Sequence, residues 1–132
     1  MVCIYCSGDS KVTNSRLQKR SNSVWRRRKC LLCGAVWTSV EATEARSAYR
    51  VSKGNSVHDF TPELLLISLY EALRHRKTAV TDAAALCDTV IQQLQKKRRA
   101  TIYSADIKKT SHAVLLHFDK TAAAVYLARS KA

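Results

Sequence analysis

Carboxylates are scarce in this chain: 10 Asp and Glu stand against 23 Lys and Arg in 132 residues, giving a formal net charge of +13 and a pI of about 9.9. That balance favours polyanionic partners. Long apolar runs are missing too. Stretches such as Leu64-Leu65-Leu66-Ile67 fall far short of the ~20 apolar residues that span a bilayer, so no membrane partner is expected. The opening Met1-Val2-Cys3-Ile4-Tyr5-Cys6 has neither the basic nor the apolar region of an export leader, which points to a cytoplasmic protein. Glycine is rare, at three residues, and no phosphate-cradling glycine loop occurs. None of His58, His75, His112 and His117 stands at ligand spacing from an acid, and no His-x-Glu deaminase pattern exists, so a non-enzyme is expected. Internal repeats and low-complexity linkers are absent. With 46% hydrophobic and 25% charged residues the chain nonetheless has the composition of a folded protein, long enough for a small stapled module followed by a compact domain.

Four of the five cysteines form two Cys-x-x-Cys pairs, Cys3/Cys6 and Cys30/Cys33, separated by 23 residues. In a reducing compartment such pairs are unlike a disulfide framework. Each Cys-x-x-Cys turn offers two thiolates to a tetrahedral ion, and four together make a closed, structural Zn²⁺ site. A redox pair, an iron–sulfur site or redox-labile zinc are the alternatives for such thiols. Gly8 and Gly34, just after each pair, stand where tight knuckles need positive φ. The residues between the pairs are polar and basic and cannot bury a core without a metal. A hairpin over residues 11–29 would bridge the gap, and the fold expected is a zinc ribbon. Cys87 is expected in the core of a later helix, near Ile91.

Arg26, Arg27, Arg28 and Lys29 run directly into the second pair, and on a strand alternate side chains face opposite ways. A solvated charge run is the plain reading. Four adjacent cations pinned by a metal site suit phosphate clamping better, with Lys11, Arg16, Lys19 and Arg20 enlarging the field. Trp25 and Trp37 add aromatic surface, one for the ribbon core and the other for packing on the next domain. Lys96-Lys97-Arg98-Arg99 reads equally as a helix end or as a second phosphate contact.

The boundary is expected at 46/47, where the pattern changes: residues 1–46 hold nine basic and three acidic side chains, and 47–132 hold fourteen and seven. Residues 49–58 predict a hairpin turning at Gly54-Asn55. Thr61-Pro62-Glu63 predicts a hydroxyl-capped helix to about Arg76, with most of Leu65, Leu66, Ile67, Leu69, Tyr70 and Leu73 buried. Arg74, Arg76 and Lys77 would favour its C-terminal end. A second helix is predicted from Thr81-Asp82 with Leu86, Val90 and Leu94 on one face. After an extended Thr101-Ile102-Tyr103, a third starts at Ser104 to Asp106 with Ile107, Val114, Leu115 and Phe118 striped, and a fourth covers Thr121 to about Arg129.

Cys3-x-x-Cys6, Asn14-Ser15-Arg16, Arg26-Arg27-Arg28-Lys29-Cys30-x-x-Cys33-Gly34 and Trp37-Thr38-Ser39-Val40-Glu41 together resemble the bacterial NrdR family, repressors of ribonucleotide reductase operons. The remainder resembles an ATP cone in outline: a hairpin with Gly54, then Phe60, two helices, Ser104-x-Asp106-Ile107 and Leu116-x-Phe118-Asp119. The resemblance implies an α+β protein: a rubredoxin-like zinc ribbon over residues 1–46 that binds double-stranded DNA, then a small helical ATP-cone-like domain with a short β-hairpin over 47–132 for regulation and homo-oligomerisation. It implies Zn²⁺ on Cys3, Cys6, Cys30 and Cys33, and DNA contacts from Arg16, Arg26, Arg27, Arg28 and Lys29. ATP or dATP is the implied effector, but the two lysines of the family pattern are replaced by Val51 and Leu64, leaving Arg50 and Lys53 as the nucleotide-binding candidates. The alternative function is a zinc-ribbon adaptor docking on RNA polymerase or another nucleic-acid machine, which would bind duplex without sequence preference. A zinc-dependent nucleic-acid enzyme fragment is a third.

Overall fold

The computed structural model describes residues 1–131, and the chain divides into two compact units, Met1–Thr43 and Glu44–Ala132. The first is an antiparallel sheet of β1 (Ser10–Gln18), β2 (Ser23–Cys30) and β3 (Val36–Ala42), with β2 central. Its core is small: Cys3, Cys30 and Trp37 are its buried hydrophobic residues, with Ala35 packed alongside. A sheet with so little apolar burial has no adequate hydrophobic driving force of its own, and its closure depends on the cysteine cluster. The predicted hairpin is β1–β2, with a bulge between Val12 and Asn14, and Asn22 takes φ 47° in its turn.

In the second unit a short helix, α1 (Ala45–Ala48), leads into β4 (Arg50–Lys53) and β5 (Ser56–Asp59), the predicted hairpin. Gly54 turns it with φ 59°, a conformation glycine adopts without steric cost. The predicted extended piece is β6 (Thr101–Tyr103), and it joins β4 in parallel, which the sequence pattern did not indicate. Four helices follow the predicted order: α2 (Pro62–Leu73), α3 (Ala79–Gln95), α4 (Ser104–Phe118) and α5 (Lys120–Lys131). Leu69, Leu73, Val90 and Leu115 are fully buried, and Val51, Phe60 and Ile102 join the sheet to the same core. Cys87 is buried there as expected, and burial pushes its thiol up to about 11.

Several details differ from expectation. Thr61 caps α2 by position but its hydroxyl makes no capping bond, leaving Pro62 at the first helical position as the start signal. Leu65, Leu69 and Leu73 are buried, whereas Ile67 and Tyr70 are exposed: only a stripe of α2 meets its neighbours. Phe118 is likewise exposed at its edge, under the Arg76 guanidinium at 4.8 Å.

The helix stops at Leu73, three residues early, because Arg76 is drawn into a tertiary ion network. Its Nε donates to Asp82 at 2.9 Å and its NH1 to Asp119 at 3.1 Å. The Thr78 hydroxyl also donates to Asp82, at 2.7 Å, so Asp82 sits inside the first turn of α3 rather than opening it, and the helix begins at Ala79. Asp119, between α4 and α5, accepts from the Ala122 backbone N–H and pairs with His75 and Arg76. That N–H first, then His75 and Arg76, hold its carboxyl down from 3.8 to about 2. A depressed carboxyl stabilises the fold above its unfolded pKa and loses that contribution as pH falls through the folded value. Asp119→Asn is therefore expected to lower the thermal midpoint at pH 7 and to flatten the stability loss between pH 3.8 and about 2. Melts followed by circular dichroism across that range check both, and an unchanged acid limb would show that Asp119 does not set it.

Candidate metal centre and nucleic-acid interface

Both Cys-x-x-Cys segments are tight turns whose amides point at sulfur. The Tyr5 N–H donates to Cys3 Sγ at 3.4 Å, and the Leu32 and Cys33 N–H groups donate to Cys30 Sγ at 3.3 Å each. Cys30 ends β2, so the central strand delivers its last side chain into the cluster. Cys3 and Cys30 are buried, while Cys6 and Cys33 are exposed. Gly34 takes φ 73° as the second knuckle demands. In the first knuckle the positive φ falls on Ser7, at 58°, and not on Gly8. At Gly8 the constraint is space: a Cβ there would lie 3.0 Å from Leu32 Cβ and 3.4 Å from Cys6 Sγ, a tight fit where the two knuckles meet.

All four sulfurs lie within 4.8 Å of one another, with Cys3 to Cys33 at 3.7 Å and Cys6 to Cys30 at 3.5 Å. A zinc tetrathiolate with Zn–S of about 2.3 Å has edges of about 3.8 Å, so the set fits that ion. The amides of Cys33 and then Leu32 bring Cys30 down to about 6. The Gly8 N–H pulls Cys6 down, yet hydrogen bonds with the Cys33 and Cys30 thiols outweigh it and hold Cys6 at about 12. A divalent cation replaces such shared protons, and the N–H donors then offset the charge of the thiolates. With four protein ligands no coordination position is left for a substrate.

The sheet register sorts the basic residues by face. Cross-strand partners share a face, and β2 pairs Trp25 with Arg16 and Val40, Arg27 with Asn14 and Thr38, and Lys29 with Lys11 and Val36. That face holds Lys11, Arg16, Arg27 and Lys29 around a half-buried Trp25, and no carboxylate. Its one cross-strand side-chain bond from a cation runs from Arg27 NH1 to Thr38 Oγ1 at 3.3 Å. Arg26 and Arg28 lie on the other face, with Cys30 and Trp37. There Arg26 pairs with Glu41 at 2.8 Å, and Arg28 Nε donates to Ser39 at 2.9 Å. The five candidate DNA contacts are thus divided, three and two, and Lys11 and Trp25 join the larger group. Lys11 was visible in the sequence as part of a basic stretch, but its place opposite Lys29 follows from the bulge in β1.

The nucleotide-binding candidates are divided as well. Lys53 lines a cleft of about 420 Å³ with Val51, His58, Phe60, Leu64 and Lys108. Arg50 pairs with Asp59 at 3.3 Å and is not on that lining. Val51 and Leu64, which replace the lysines of the family pattern, form apolar wall in this cleft. Lys108 comes from α4, and no sequence motif pointed to it.

A four-thiol ribbon with one uncompensated basic face, joined to a helical unit with its own core, defines a zinc-ribbon protein of the nucleic-acid-binding kind. Residues 1–41 match the family described as transcriptional repressor NrdR-like, N-terminal domain. The chain is 30% identical over 123 residues to the transcriptional repressor NrdR of Herminiimonas arsenicoxydans, covering 92% of this chain and 79% of that protein. It is 31% identical over 123 residues to the NrdR repressor of Rhodospirillum centenum, covering 92% and 80%. With that of Heliobacterium modesticaldum it shares 30% identity, covering 92% and 81%. The chain belongs to the NrdR family of transcriptional repressors.

Removing the metal is expected to unfold the ribbon alone, because its buried core is confined to Cys3, Cys30 and Trp37 while the helical unit buries its own. Structural zinc contributes on the order of 10 kcal/mol in small modules, far more than this core supplies. Cys30→Ser, or chelation of the wild type, should abolish zinc content and amide dispersion of residues 1–43 while the helical signal persists. A metal-free ribbon with dispersed amide signals would mean that thiol packing suffices.

Proposed function

We propose that this protein is a DNA-binding transcriptional repressor in which Cys3, Cys6, Cys30 and Cys33 hold a structural Zn²⁺ and the face carrying Arg16, Arg27 and Lys29 lies against duplex DNA. The carrying observation is that face: four cations, an aromatic ring and no carboxylate, on a sheet anchored at the metal site. Zinc supplies rigidity here and no chemistry. The strand presents alternate cations at fixed spacing, so phosphate contacts are made without ordering a flexible tail. Arg26 and Arg28 brace β3 from behind, through Glu41 and Ser39. Family membership favours operators of ribonucleotide reductase genes as the targets. On the same reading Glu44–Ala132 is the regulatory unit that joins copies of the chain, placing ribbons on spaced half-sites. Its cleft at Lys53 is the place for ATP or dATP, with Lys108 in the role of a second cation.

Arg27→Ala is expected to weaken duplex binding by about tenfold with zinc content unchanged, and Arg26→Ala to change it much less. Fluorescence anisotropy on a labelled duplex measures both, and a larger loss from Arg26→Ala would move the contact to the opposite face. For the helical unit, calorimetry with ATP and dATP alongside sedimentation mass is the test. The mass is expected to exceed that of one chain. Saturable binding that alters it makes the unit a nucleotide sensor, and absence of binding leaves it an assembly unit.

A further inference from the structure

The helical unit carries its own concentration of cations at one end, where the C-terminus of α3 meets the first turns of α4. Lys97 Nζ pairs with Asp106 at 2.6 Å, and Arg99 and Lys109 add their field to the same carboxylate, which is held below its ordinary value. One acid therefore faces three cations. Lys96 and Arg98 belong to the same exposed turn, and neither they nor Arg99 and Lys109 form an ion pair among the described residues. A groove of about 430 Å³ beside them is lined by the polar side chains of Lys97, Lys109, Gln93, Thr110 and His117, with Ala113 and Val114 as its apolar part. The negative end of α3 accounts for Lys96 and Lys97, but Lys109 lies in the N-terminal half of α4, where the dipole favours no cation.

Arg98 supplies an independent observation. It stands just past the end of α3 with φ 52°, a left-handed conformation that glycine or asparagine takes at lower cost in this position. An exposed arginine held in this conformation gains no ion pair among the described residues in return, which makes its side chain free for a contact outside the fold.

We propose that this end of the helical unit is a second, sequence-independent contact to the DNA backbone, with phosphates seated along Lys97, Arg98, Arg99 and Lys109. The inference rests on the ribbon holding duplex DNA, since the tether between the units then keeps the same polyanion at high local concentration. Lysine, amide and hydroxyl donors line this groove, Arg98 and Arg99 stand exposed on the turn that follows α3, and these are the groups that grip phosphate oxygens. The groove's two small apolar side chains offer no large anchor for acyl chains, which favours a nucleic-acid backbone over a lipid surface.

The test compares full-length, zinc-loaded proteins on a labelled duplex of arbitrary sequence from about 50 to 200 mM salt. Three chains are needed: wild type, a bundle-end variant (Arg98→Gly, Arg99→Gln, Lys109→Gln) and a ribbon-face variant (Arg16→Ala, Arg27→Ala). The bundle-end variant is expected to lower the steepness of log K against log salt by about 2 to 3, at ~0.9 per phosphate, and to weaken different sequences equally. Arg98→Gly alone should lower the slope by about 0.9 while its melting temperature stays at or above that of wild type. A bundle-end variant with wild-type slope and affinity, beside a ribbon-face variant that has lost binding, overturns this inference and leaves the repressor reading intact. A ribbon-face variant that binds like wild type overturns that reading instead, whatever the bundle end does. Vesicles containing phosphatidylserine are the control: loss of vesicle binding with the DNA slope unchanged would assign the patch to a membrane and sink the proposal.

Discussion

Four sulfur atoms at the end of β2 hold the first unit together. Its sheet buries Cys3, Cys30 and Trp37 and little else, so two knuckles closing on one ion replace the hydrophobic core that a longer module would have. The amides that point at Cys3 and Cys30, and the missing side chain at Gly8, belong to the same arrangement: they lower the cost of collecting thiolates and let the knuckles touch. Everything that β2 presents to a partner is positioned by that anchor.

A strand ending in a metal ligand has its two faces assigned. Cys30 must point to the cluster, so Arg28 and Arg26 point the same way, and Lys29, Arg27 and Trp25 point oppositely. A run of four cations thereby becomes two different objects. One pair is engaged by Glu41 and Ser39 within the sheet, and the other joins Lys11 and Arg16 in a field without compensating acid. An exposed pair such as Arg26–Glu41 adds little stability, and its consequence is orientation of β3.

The helical unit shows the same contrast between charge that is consumed and charge that is left. Arg76, Asp82, Asp119 and His75 form a network that ties the α2–α3 turn to the α4–α5 junction, and it costs α2 its last turn. At the other end, among the described residues, Lys97 alone finds a carboxylate, and its neighbours remain in solvent. In the cleft at Lys53 the exchange of two expected lysines for Val51 and Leu64 is a local change with a local effect: the wall becomes apolar while its place in the fold is kept.

Local rules carry far in this chain. Thiol spacing at 3/6 and 30/33, Gly34 after the second pair, Gly54 in its two-residue turn, Pro62 at a helix start and the Leu86-Val90-Leu94 stripe each act over a few residues, and each is legible in the order of the amino acids. What depends on groups distant along the chain is not. The parallel pairing of β6 with β4, the capture of Arg76 by Asp82 and Asp119, the burial of one stripe of α2 rather than its whole apolar arc, and the place of Lys108 and Lys53 on one cleft bring together residues that no short pattern relates. The ribbon shows the division most plainly: the sequence alone states that alternate cations diverge, but only the closed sheet, with Cys30 buried at the metal site and a bulge shifting β1, decides which of them stand together.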